Sequence, residues 1–599
     1  MILLDAYAAR SCPVKTQNQY DPTVPEPGEG ADAELQEIFA GSQEYKNDVL
    51  GRLATAPGAL DLRDLPPDER RVATVDAVVA GTPVIVGPAL PPDPDGHRRG
   101  TPDALVRGES RSDGQPGYHP VQVKRKLLVE RRRPAEVFCW TTTLEQPVAP
   151  DPLSHDSATA LHEHSFRAGR EAELIQMAHY VRMLQDLGWA APHEVAGLIG
   201  TDKLIGLEAE TPAPESPAPE TPAPESPAPE TQPDVGIVWV DLRHRFLRTF
   251  SRTAETHWRL RSGLERYDHE FGFRVTVAET ASRHVEGEPY TPRVTPIVVR
   301  ECQSCPWWQR CEPMLDAEDV SRRITKTPLD VREISVLRKL GISTLADLAG
   351  ADLAALMPLY LPEVAHRSQA DKRLLTAAHR ARMMRDGVAL SRIDDEAIAL
   401  PGGDIEIDLD IETSGDDEIY LWGLLVSADG HAPVYHPFVH WGPMTTDDQV
   451  ALAREAMAFL ERYFATGRRV RVYHYSDYES RHLRELADVD KSRDKLLRRA
   501  HDRVARDWVD LYSVVSHHFF GVQGLGLKVV AHEGAGFEWR DDEPGGLNSQ
   551  SWFAEAINAD LSPEDREAAR RRVLAYNEDD VRATHALRAW LRAQHGAHA

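Results

Sequence analysis

Ile405-Glu406-Ile407-Asp408-Leu409-Asp410-Ile411, followed at once by Glu412, alternates apolar and acidic side chains with the two-residue period of a β-strand. Asp410 and Glu412 close the run two residues apart, so both carboxylates point the same way, and such a pair can hold a metal ion. Alternating strands and helices then run on to Trp590, which predicts an α/β fold for this region. Further along come Tyr473-His474-Tyr475-Ser476-Asp477-Tyr478-Glu479, then Trp508-Val509-Asp510, then Tyr576-Asn577-Glu578-Asp579-Asp580 on a late helix. Tyr576 and Asp580 are i and i+4, neighbours on one helical face. Carboxylates from separate elements converging on two divalent cations describe a two-metal phosphodiesterase, with the tyrosine orienting or deprotonating the water. The bland alternative is that Asp410 and Glu412 cap a turn while Asp580 joins a salt bridge.

These residues resemble the DnaQ-like, RNase H-fold 3′–5′ exonucleases with Tyr-x3-Asp in the last motif, most closely the YprB-type domain, over about residues 404 to 592. The resemblance implies Mg2+ or Mn2+ held by Asp410, Glu412, Glu479 and Asp580, with Tyr576 catalytic beside them. Glu479 stands where the family has Asp and is one methylene longer. Asp510 is a supporting carboxylate, and Asp477 is the weaker substitute for Glu479.

Cysteine carries the second signal. Cys302, Cys305 and Cys311 are spaced C-x2-C-x5-C, and Cys12 lies almost three hundred residues upstream. Such short, stiff intervals suit a metal or an iron–sulfur cluster better than disulfides paired among themselves. Structural zinc, a redox disulfide and inert thiols are the alternatives. Cys139, in the apolar run Val137-Phe138-Cys139-Trp140, reads as packing.

A third constellation precedes that cluster. Asp103 in Thr101-Pro102-Asp103 and Lys124 in Gln122-Val123-Lys124 fall on two successive strands, with Gln122 and Lys124 on one face. Gln176 and Tyr180 are i and i+4 on a helix expected from Ala158 to Leu187, stopped by Gly188. The order PD…(D/E)xK then QxxxY, framed by one early and three late cysteines, resembles the iron–sulfur branch of the RecB-type nucleases over roughly residues 1 to 315. That resemblance implies a [4Fe-4S] cluster on Cys12, Cys302, Cys305 and Cys311. It further implies metal on Asp103, a catalytic Lys124, and Gln176 with Tyr180 positioning nucleic acid. Gln122 replaces the usual acid. Glu44, in Gly41-Ser42-Gln43-Glu44, stands near the position of an upstream metal-binding histidine and is taken as a substitute ligand.

The 599 residues carry a formal charge of −26, which argues against nonspecific coating of nucleic acid but not against a nuclease, because carboxylates awaiting a cation count as negative. The basic runs Lys124-Arg125-Lys126 and Arg131-Arg132-Arg133 could meet phosphates or simply be solvated. No export signal or apolar membrane span is read, so the expected setting is cytoplasmic. The duplicated ten residues 211–220 and 221–230, proline-rich and acidic, predict an extended insertion at a hairpin tip between strands near 195–200 and 235–240. Residues 72 to 87 are read as alternating strand with a turn at Gly81. Between about 330 and 390 the chain reads as helical. Val336 to Ala349 forms a helical hairpin around Gly341 that could present amides to a phosphate.

The expected architecture is therefore an α/β multidomain chain. A PD-(D/E)xK nuclease domain with its cluster spans 1–320, with 210–233 as the proline/glutamate insertion. A helix-hairpin-helix connector spans 325–395, and an RNase H-like exonuclease domain spans 400–595. The expected activity is metal-dependent cleavage of DNA, exonucleolytic, in repair, recombination or defence. No Gly-x4-Gly-Lys-Ser/Thr loop occurs, so any helicase would be a separate partner. An RNA-directed exonuclease and a non-catalytic scaffold binding nucleic-acid ends are the rival readings.

Overall fold

The computed structural model describes residues 1–27, 33–150, 158–205, 234–323, 329–415, 417–428, 430–541 and 546–594. The duplicated proline-rich insertion lies outside them. Two compact units emerge, one from Met1 to Leu375 apart from short stretches, the other essentially from Thr376 onward. The segment expected as a separate connector is thus divided between the two.

The first unit is built on an eight-stranded mixed sheet. Ala104–Ser110 pairs antiparallel with Pro116–Val123, which runs parallel to Val195–Ile205, and that strand pairs antiparallel with Asp234–Asp241. The strands expected on either side of the insertion therefore do form one antiparallel pair. Two expectations are corrected. Residues 67–79 are a helix, Pro67–Val79, and only Val84–Val86 is strand. Proline at its start and Asp68 and Glu69 in its first turn favour helix there, and the partial alternation did not reveal it. The long helix is Glu171–Asp186 alone, because 159–160 and 165–166 are short strands, and Gly188 stops the chain with a left-handed φ of +66°. Between the helices Val331–Lys339 and Leu345–Gly350, Gly341 turns with φ +85° and is exposed.

The second unit has a five-stranded sheet in the order Val434–Val439, Ile419–Ala428, Ile405–Thr413, Val470–His474, Trp508–Asp510. The first three are antiparallel and the last two parallel. The alternation read in Ile405–Thr413 explains its central place. Ile405, Ile407, Leu409 and Ile411 enter a core with Leu452, Met457, Leu460 and Leu483. Its acidic residues turn to the opposite face, toward the 31-residue helix Pro563–Ala593. Among the described residues, no helix is long and apolar enough to cross a membrane.

Candidate functional site

Four acids project from the acidic face of Ile405–Thr413, and the long helix treats them differently along its length. Near its C-terminal end, Arg588 Nε lies 2.7 Å from Asp408 Oδ1, and Arg592 Nη2 lies 2.5 Å from Glu406 Oε1. Those two carboxylates are neutralised. Three turns earlier the helix offers only an amide, as Asn577 Nδ2 donates to Asp410 Oδ2 at 2.7 Å. Ser549 Oγ donates to Glu412 Oε2 at 2.8 Å, and Trp539 Nε1 to Asp580 Oδ1 at 2.6 Å. One ligand oxygen from each of Asp410, Glu412 and Asp580 lies within 4.8 Å of the other two. Among the described residues none of the three is ion-paired to Lys or Arg within 4 Å, so the salt-bridge alternative for Asp580 does not hold.

Burial and mutual repulsion set the protonation of this group. Burial first, then Glu412, Asp580 and Glu479, push the Asp410 carboxyl well above the ordinary carboxylate range. Burial and Asp580 push Glu412 up to about 8, and burial raises Asp580. Uncompensated carboxylates packed this closely are costly unless protonated or bridged by a cation. Glu479 sits slightly apart: it lies close enough to raise Asp410, yet its Oε2 is 3.4 Å from His474 Nδ1. That buried oxygen has no hydrogen-bond partner, which suits a ligand held in reserve for a cation. Asp510 caps the helix Leu511–His518, accepting from the Tyr512 amide at 2.9 Å, and also accepts from the Ser476 amide at 2.9 Å. Its carboxylate thus holds the turn that leads into the helix Tyr478–Val489, on whose first turn Glu479 lies.

Local sequence makes the approach possible. Asp410 lies opposite Gly423 across the antiparallel pair. A Cβ on Gly423 would sit 1.7 Å from Asn577 Oδ1, so only glycine lets that amide reach Asp410. Tyr576 is buried beside Asp580, and burial followed by Asp580, Glu412 and Asp410 raises its phenol far above its usual range. Lys528 escaped the reading of the sequence. Its Nζ donates to Tyr576 Oη at 2.5 Å and lies 4.5 Å from the ring centroid, and its charge opposes the upward shift of all three acids. The only signal was Lys528 standing alone in the apolar stretch Leu525 to Ala531.

In the first unit, Asp103 is held by the Val123 amide, which donates to Oδ2 at 2.9 Å. Register places Gln122 opposite Asp103, and the buried Gln122 Oε1 has no partner. Lys124 Nζ donates to Gln176 Oε1 at 2.7 Å, and Gln176 Nε2 to Tyr180 Oη at 3.3 Å. These sequence-selected residues therefore share one cluster. Glu44 is exposed instead, and Lys46 of the same helix pairs with Asp103 Oδ1 at 2.5 Å. One residue was missed: Glu173, three before Gln176, pairs with Arg10 at 2.9 Å, Lys126 at 2.7 Å and Lys124 at 3.3 Å. Burial would raise Glu173, but these cations outweigh it and hold the carboxyl at about 2. Burial lowers Lys124 despite Glu173 beside it.

Cys12, Cys302, Cys305 and Cys311 line one cavity with Lys15, Glu301, Trp307 and Trp308, and all four are free thiols. Glu301 joins the two distant segments, accepting from the Cys12 amide at 2.9 Å and from Lys15 at 2.5 Å. Burial raises Cys12 and Cys302, and burial plus the other three thiols pushes Cys311 up to about 11. Four sulfur donors round one cavity form a set suited to zinc or an iron–sulfur cluster. Cys139 is buried in the strand Cys139–Thr142, with its thiol raised to about 12 by burial.

Residues 407–592 match the model of the RNase_H_2 family, of the RNase_H superfamily. The C-terminal unit is thus RNase H-like, and with its acidic cluster it has the character of a metal-dependent nuclease acting on nucleic acid. Neither the curated proteins nor the solved structures contain a match to this chain.

Proposed function

We propose that this protein is a metal-dependent DNA nuclease whose RNase H-like unit degrades strands exonucleolytically from the 3′ end, serving repair, recombination or defence. The observation that carries the reading is the cluster of Asp410, Glu412 and Asp580, half-buried to buried and, among the described residues, without a Lys or Arg ion pair within 4 Å, while Glu406 and Asp408 on the same strand face are fully paired. A divalent cation bound there supplies Lewis acidity and a more acidic water. Asp410, Glu412 and Asp580 would hold it, with Glu479 completing the set. Tyr576, held by Lys528, orients the attacking water rather than deprotonating it, because its phenol is kept protonated by burial and the neighbouring acids.

The first unit belongs to the same reading as a PD-(D/E)xK site with Asp103, Gln122 and Lys124, and a [4Fe-4S] cluster on the four cysteines stapling its chain ends. The orphaned Gln122 Oε1 and the shared thiol-lined cavity support it. Labelled single-stranded DNA, duplex DNA and RNA, each with Mg2+ or Mn2+, test the reading beside Asp410→Asn and Asp103→Asn. Shortening of DNA from one end by wild type, abolished in Asp410→Asn, is expected. Absence of any metal-dependent cleavage would favour a scaffold, and preferential loss of RNA would favour the RNA-directed exonuclease.

A further inference from the structure

A second group of potential ligands lies in the C-terminal unit, outside the acidic cluster. Strand Leu390–Arg392 pairs antiparallel with Phe519–Gly521, and the Ile393 amide donates to His518 O at 2.9 Å. This register fixes Asp394 against the end of helix Leu511–His518. His518 Nδ1 lies 3.0 Å from both oxygens of Asp394. His517 follows the same helix end, its ring perpendicular to that of His518 with centroids 4.6 Å apart. One ligand atom from each of Asp394, His517 and His518 lies within 4.8 Å of the other two, and Glu396 Oε2 is 3.6 Å from His517 Nε2.

We propose that Asp394, His517 and His518 form a binding site for a zinc-class transition-metal ion, with Glu396 or water as the fourth ligand. The donor set decides the class. Two imidazoles and a carboxylate suit zinc and its neighbours, whereas the all-carboxylate cluster at Asp410 suits Mg2+ or Mn2+. Donors bound about 2.0–2.1 Å from a tetrahedral zinc are a little over 3 Å apart, which the His518–Asp394 pair already meets. His517 is exposed and closes the remaining gap by a side-chain rotation. The carbonyl end of a helix also favours a cation. Arg392, 3.7 Å from Asp394 Oδ1, faces the site and must yield when a metal enters. The bound ion would clamp the strand at the start of the unit to the far end of the helix whose first turn is capped by Asp510.

Full-length protein, stripped with chelator, is titrated with Zn2+ by calorimetry and with Co2+ by visible absorption. Wild type is compared with His517→Ala, Asp394→Asn and a Cys302→Ser/Cys305→Ser variant. One equivalent of Zn2+ lost in both His517→Ala and Asp394→Asn, retained in the cysteine variant, is expected. Co2+ bound at this site gives d–d bands without a thiolate charge-transfer band. Equal zinc stoichiometry in wild type and His517→Ala, or a signal lost only in the cysteine variant, would overturn the proposal. Neither outcome bears on cleavage, which is read separately with Mg2+.

Discussion

Among the acids of one strand, what separates the proposed metal ligands from the structural ion pairs is the identity of the partner. Asp408 has a guanidinium and Asp410 an amide. Asp410→Asn should therefore lower metal-dependent cleavage by about 10²-fold or more while leaving the fold intact, since it removes a cation ligand and relieves repulsion. Comparing turnover with the Mg2+-induced shift in melting temperature checks this. Lys528→Met should reduce kcat more than KM, with partial rescue by Lys528→Arg, because Lys528 acts through Tyr576. Glu173 makes the pH prediction. Its folded pKa, about 2, lies below the ordinary 4.5, so its ion pairs stabilise the fold above about pH 4.5 and that contribution is lost as pH falls toward 2. At about 1.4 kcal/mol per unit the ceiling is about 3 kcal/mol. Glu173→Gln should cost stability at pH 7 and much less at pH 3, as read from urea midpoints.

At the scale of elements, the site depends on how closely the helix Pro563–Ala593 approaches the strands Ile405–Thr413 and Ile419–Ala428. Gly423→Ala places a Cβ where Asn577 Oδ1 now sits, so the helix must shift or the amide must leave Asp410. A loss of about 1–3 kcal/mol is expected from overpacking, together with weaker binding of Mg2+ by calorimetry. At the other end of the same helix, Arg588→Met strands the fully buried Asp408 and should cost about 3–5 kcal/mol. Arg588→Lys would rescue this poorly, because a lysine cannot reproduce the two-pronged contact with Asp408. A thermal melt of the three proteins without metal separates these outcomes from any effect on the acidic cluster.

Across the whole molecule, two units with separate cores predict two unfolding transitions by calorimetry. Mg2+ should raise the transition of the unit that holds Asp410, and Asp410→Asn should abolish that rise. Much of this plan was legible in the chain. The alternation from Ile405 to Glu412 defined the central strand and aimed its acids, and the i, i+4 spacing put Tyr576 beside Asp580, because strand and helix periods are local properties of the backbone. The cysteine spacing likewise singled out the residues that share one cavity. Other features depend on contacts between segments far apart in sequence. Nothing local shows that Arg588 neutralises Asp408 while Asn577 gives Asp410 only an amide, that Lys46 rather than Glu44 reaches Asp103, or that Lys528 meets Tyr576. Helix Pro67–Val79 was misread because apolar spacing in a short stretch fits both periods. The sequence by itself determined which residues carry charge and which way each faces along its own element. The tertiary structure alone decided which charges are cancelled, because neutralisation depends on distance through space and burial, and neither is set by position along the chain.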